Sequence, residues 1–211
     1  MVYPTLEVRW FLREPIPEGL EQYFQQGPQP GAIVPTVEAR QDWYLRLTQQ
    51  DDLGIKLREG KVEIKKRVGD RGFCQLSDQV AGRVEDWVKW SFSSEVEVQA
   101  FLEEAMEEWM AVQKTRRQKT YQMLSGKVTE VIDPAGIASG CTLEVATLEI
   151  QNQTWFSLGF EAFGECDRRT EVFDRVVQYA LARLNFLSLP IEQSFSYPRW
   201  LSAILTSQIE I

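Results

Sequence analysis

Residues 54–67 read GIKLREGKVEIKKR. Ile55 and Leu57 alternate with Lys56 and Arg58; beyond Glu59-Gly60, Val62 and Ile64 alternate with Glu63, Lys65 and Arg67. Period-two alternation marks a strand with one apolar and one polar face. Two such runs around a Gly-containing turn read as a β-hairpin. The polar face is dominated by cations: six Lys or Arg against two Glu give the segment a formal charge of +4, whereas the whole chain carries −8. Two readings follow. The face is a solvated hairpin surface, or it is the wall of a site for a small anion rather than for nucleic acid.

Outward from this hairpin the chain reads as strand groups separated by helices. Thr5–Leu12 sets Thr5, Glu7 and Arg9 against Leu6, Val8 and Trp10. A short helix is expected near Pro17–Phe24, and GPQPG at 27–31 is a loop because two Pro and two Gly break any period. Asp42–Thr48 and Gly72–Ser77 read as strands. Arg83–Phe92 alternates Arg83, Glu85 and Lys89 with Val84, Val88, Trp90 and Phe92. Ser94 and Glu97 form a capping-box pattern, and Val98, Phe101, Leu102, Ala105, Trp109 and Val112 recur at helical spacing, so a long helix is expected over 94–119. Its basic end, 114–119, is either solvated or reaches into the anion site. Cys141–Ile150 and Thr154–Phe163 form a second hairpin around Gln151-Asn152-Gln153, and a further helix follows over 167–184. The expected fold is α+β, an antiparallel β-barrel or strongly curved sheet with helices packed outside, in one domain spanning 1–211.

Composition prunes the chemistry. The chain has no His, which removes Ser-His-Asp triads, Cys-His pairs and imidazole metal ligands. Any metal site must rest on carboxylates, which suit Mg²⁺ or Mn²⁺. Three widely spaced Cys form no CxxC pair, so a reducing cytoplasm is the expected compartment. No apolar run reaches the roughly 20 residues of a membrane span, and the N-terminus does not read as a signal peptide. A sequence pI near 4.8 argues against a general nucleic-acid binder. Neither GxxxxGK[ST] nor GxGxxG occurs.

The order of elements and several short motifs resemble the CYTH domain of the triphosphate tunnel metalloenzymes. TLEVRWFL resembles the family's N-terminal ExExK signature, with Thr5 at the first acid, Glu7 at the second and Arg9 at the Lys. IKLR resembles its basic strand and supplies Lys56 and Arg58; EIK supplies Lys65, and RVE supplies Arg83 and Glu85. LGFEAF resembles its late acidic strand through Glu161, and Ser196-Tyr197 resembles its closing Ser-Tyr. The resemblance implies a barrel whose polar interior grips a triphosphate and a divalent metal. It implies ligand-binding roles for Arg9, Lys56, Arg58, Lys65, Arg83 and Lys89, metal ligation by Glu7, Glu85 and Glu161, and catalytic roles for Glu7 and Glu161. Thr5, Phe163 and Trp87 stand where acids are usual, so the cations are better kept than the carboxylates.

Three functions fit these residues. One is weak Mg²⁺- or Mn²⁺-dependent hydrolysis of a triphosphate compound or polyphosphate. Another is a tunnel that binds the anion without chemistry. The last is a lipocalin-like barrel for an organic ligand, which requires an apolar interior. Glu7, Glu63, Glu85, Glu144 and Glu161 are each either a metal ligand or the partner of a neighbouring cation, because buried charges must be paired.

Overall fold

The computed structural model describes residues 2–27, 37–93 and 105–206. Its strands are β1 (Val2–Leu12), β2 (Glu38–Leu45), β3 (Leu53–Arg58), β4 (Lys61–Ser77), β5 (Val80–Ser93), β6 (Trp109–Leu124), β7 (Lys127–Val131), β8 (Gly140–Ile150) and β9 (Gln153–Phe163). All pair antiparallel, in the order β2-β3-β4-β5-β1-β9-β8-β6-β7. β2 also pairs with β6, from Glu38↔Arg116 to Leu45↔Trp109, and this closes eight strands into a barrel. β7 lies beside the second half of β6 and extends the wall as a hairpin.

Three tight turns set the hairpin registers. Glu59-Gly60, Ser125-Gly126 and Gln151-Asn152 all have both residues at positive φ, the backbone that matches the right-handed twist of the flanking strands. The charged hairpin 54–67 and the hairpin 141–163 form as expected. β4 continues through 72–77, the expected separate short strand, with register shifts at Arg67/Gly69, Asp70/Gly72 and Gln75/Ser77.

Alternation sorts the side chains. On β1, Leu6, Val8 and Trp10 join Leu143, Val145, Leu158 and Phe160 in an outer apolar layer. Helix α1 (Glu18–Gln25) adds Leu20 and Phe24 to that layer, and helix α2 (Cys166–Leu181) adds Val172, Phe173, Val176 and Val177. The expected helices near 17–24 and 167–184 are therefore present, and they cover the outside of the wall.

The long helix expected over 94–119 does not hold. Residues 94–104 lie outside those described, Met106–Glu108 make one 3-10 turn, and 109–119 belong to β6. Trp109 and Val112 satisfy a helical spacing, but β6 supplies the backbone groups that both β2 and β8 need. Its interior face changes character midway, from Met110 and Val112 to Lys114, Arg116 and Gln118. That break hides the period of two.

Helix α3 (Tyr197–Leu205) was not anticipated. It lies across one end of the barrel, where the facing strand positions turn apolar. Trp200, Leu201 and Ile204 pack with Phe11, Tyr44, Met110, Ala146, Leu148 and Trp155. The Trp200 ring stacks on Phe11 at 4.5 Å and 8°. Ser196 caps the helix by accepting from the Arg199 N–H at 3.3 Å, and its hydroxyl donates to the Asp51 carbonyl at 2.9 Å. Pro198 comes within 3.3 Å of where a Cβ on Gly54 would stand, so the absence of a side chain at Gly54 lets the helix seat against β3.

Candidate functional site

Above α3 the barrel encloses a cavity of about 320 Å³. Eight cations and five carboxylates line it, a formal excess of three positive charges within a chain of net charge −8. Of the expected ligand-binding residues, Arg9, Lys56, Arg58, Lys65 and Lys89 meet there. Arg83 does not. It donates instead to Asp70 on the neighbouring strand, whose carboxyl this contact holds at about 2. Arg40, which was not anticipated, completes the cationic set with Lys114 and Arg116. Lys114 and Arg116 belong to the basic run for which a solvated helix end was the alternative.

Glu144 is the hub of one cluster. It accepts from Arg9 at 2.9 Å, Lys114 at 2.8 Å, Arg116 at 3.1 Å and Gln118 at 3.0 Å. Burial opposes its charge, but Lys114 and Arg9 outweigh burial and hold the carboxyl well below the ordinary carboxylate range. Lys114 responds in the other direction: burial, only partly offset by Glu144, pushes it down to about 8. Arg9 reaches Glu144 by lying over Gly159, where a Cβ would stand 2.9 Å from the guanidinium carbon. Arg9 and Lys114 also flank the Tyr197 ring, at 5.7 and 5.6 Å from its centre. A second cluster joins Glu63 to Lys56 at 2.8 Å and Arg58 at 2.7 Å. Burial there is overcome by Lys56 and Arg58, and Glu63 sits at about 2.

The expected metal ligands stand in one row. Glu85, Glu7 and Glu161 are in register across adjacent β5, β1 and β9. Two of the three are tied up by close partners. Glu85 accepts from Arg67 at 2.6 Å and from the Trp87 indole at 3.2 Å. Glu7 pairs with Lys65 at 2.5 Å and accepts from the Thr5 hydroxyl. Glu161 lies 3.6 Å from the same Lys65 ammonium. Burial pushes the Glu7 carboxyl up, against the pull of Lys65 and helped by Glu161. Among the described residues no three carboxylate or thiol side chains gather where they could hold one ion. With the Lys65 ammonium set against Glu7 and Glu161, and Arg67 against Glu85, the row does not fit the divalent ion that the resemblance implies.

No family model matches the chain, and no curated protein matches it by sequence. Among solved structures it is similar to the Pct1 RNA triphosphatase of S. pombe, at 11% identity over 88% of this chain and 84% of that one, with a TM-score of 0.44. It is also similar to the same protein in complex with the Spt5 CTD, at 12% identity over 88% and 82% of the two chains, with a TM-score of 0.41. At TM-scores below 0.5 neither likeness bears on the chemistry of this cavity.

Proposed function

We propose that this chain binds a triphosphate-bearing small molecule or a polyphosphate in the barrel cavity. The observation that carries the reading is the cationic excess on an interior wall of an acidic protein. Guanidinium groups hold phosphate oxygens in a bidentate fork, and ammonium groups act as point charges. A volume of about 320 Å³ suits a small molecule. The charged interior counts against an apolar ligand of the lipocalin-like kind. The motifs around Arg9, Lys56, Arg58 and Lys65 that resemble the CYTH domain support the same ligand class. Free Cys74, Cys141 and Cys166 suit a reducing cytoplasm. No helix among the described residues is long and apolar enough to cross a membrane.

Any hydrolysis rests on Glu161, the cavity carboxylate least committed to partners, with its side chain 34% exposed. Phosphoryl transfer needs positioning and charge stabilisation, and the cations supply both. Turnover is expected to be slow. Glu161→Gln should lower phosphate release while leaving binding intact, as followed over a panel of triphosphates.

Arg58→Ala should weaken binding by about 1.5–3 kcal/mol, the range for hydrogen bonds to charged groups, measured by calorimetry with inorganic triphosphate. Affinity should also depend on pH. Lys114 is charged below about 8 and loses its proton as pH rises through that value. The affinity should therefore fall by roughly tenfold between neutral and alkaline pH, the equivalent of about 1.4 kcal/mol. Lys114→Met should flatten the profile; a profile unchanged in that variant would assign the titration to another group.

A further inference from the structure

We infer that the Lys65 ammonium stands where a divalent ion would otherwise sit, so that anion binding in this cavity needs no metal. The inference rests on the function proposed above and concerns only its cofactor. Glu85, Glu7 and Glu161 lie side by side on three neighbouring strands, which is the beginning of an oxygen cage. A Mg²⁺ ion can manage with one or two carboxylates when phosphates supply further oxygens, so the number of acids does not decide the matter. Position does.

Lys65 projects from β4, and its ammonium meets carboxylates carried by β1 and β9. Its Nζ is 2.5 Å from Glu7 and 3.6 Å from Glu161. A metal bridging those two carboxylates would have to expel this ammonium and would then face it as a like charge. Two substitutions hold the ammonium where it is. Trp87, which stands where an acid is usual in the resembling motif, places its ring 5.9 Å beneath Nζ, a cation–π contact. Thr5, which replaces another such acid, donates its hydroxyl to Glu7 and adds no negative charge. Glu85 is withdrawn by Arg67. The chain thus builds its own fixed cation into the carboxylate row. An ammonium has three donors, so Lys65 can serve both carboxylates and still offer an N–H to a phosphate oxygen.

Titrating Mn²⁺ into the full chain, followed by electron paramagnetic resonance with no anion added, tests this directly. The wild-type protein should show no site tighter than about 1 mM. Lys65→Met, which keeps the bulk of the stem and removes the charge, should gain bound Mn²⁺, and Glu161→Gln in that background should abolish the gain. Circular dichroism establishes that each variant is folded, and Lys65→Gln provides a second neutral replacement. A wild-type Mn²⁺ site lost in Glu161→Gln, or folded Lys65 variants that gain nothing, would overturn the inference. A parallel titration uses inorganic triphosphate, once with a chelator and once with excess Mg²⁺. Binding in the chelator at least as tight as with Mg²⁺ is expected. Binding only with Mg²⁺ would overturn the metal-free account and leave the anion cavity standing. Absence of binding in both would refute the anion cavity, and the Mn²⁺ titration would still decide the place of Lys65.

Discussion

Replacing Glu144 by Gln is expected to destabilise the protein by about 3–5 kcal/mol, the cost of removing one partner from a buried charge cluster. The side chains of Glu144 and Lys114 are each only 6% exposed, and the single carboxylate also faces Arg9 and Arg116. Glutamine keeps the shape and some accepting capacity but leaves three cations without their shared counter-charge. At this chain length the loss corresponds to a fall in Tm of roughly 10 °C. The same substitution should make ligand stabilisation larger, because a bound polyanion would restore the missing charge. Thermal melts of wild type and Glu144→Gln, with and without inorganic triphosphate, check both parts. An equal ligand-induced shift in the two proteins would show that the Glu144 cluster lies outside the binding surface.

Trp200→Ala is expected to cost about 3–5 kcal/mol, the range for deleting a buried aromatic side chain. Trp200 is fully buried, stacked on Phe11 and edge-on to Trp155 and Tyr197. Its loss removes the centre of the layer that closes one end of the barrel. Water admitted from that end would raise the effective dielectric around the cations, and each contact to an anion would weaken. Urea denaturation measures the stability term. If stability falls while triphosphate affinity is unchanged, α3 serves the fold without sheltering the cavity.

The hairpin 54–67 and the strand Thr5–Leu12 were legible because they alternate over several successive residues, Lys56, Arg58, Glu63 and Lys65 against Ile55, Leu57, Val62 and Ile64, and Thr5, Glu7 and Arg9 against Leu6, Val8 and Trp10. β6 was not. It carries apolar interior residues beside α3 and basic ones beside the cavity, so neither face keeps one character along its length. The helical reading left the basic run 114–119 between solvent and the anion site, and it did not show that Lys114 and Arg116 meet Glu144 from the neighbouring strand. Arg83 shares the alternation of Glu85 and Lys89, and only the three-dimensional pairing with Asp70 reveals that it is spent elsewhere. Helix α3 did carry a local signal, Ser196 at the cap with Pro198 in the first turn, but the segment was read only through its likeness to a closing Ser-Tyr. The carboxylate row was legible residue by residue, yet the meeting of Lys65 with Glu7 and Glu161 depends on the strand order β4-β5-β1-β9, which no local pattern encodes.

Binding and its pH dependence both turn on the barrel interior being an anion site. Calorimetry of the full chain with inorganic triphosphate, ATP and thiamine triphosphate, at low and at high salt, tests it most directly. Saturable binding of at least one of them is expected, weakening as salt screens the opposite charges and weakening again in Arg58→Ala. No heat or displacement for any of the three at millimolar ligand, with Mg²⁺ and without it, would contradict the claim.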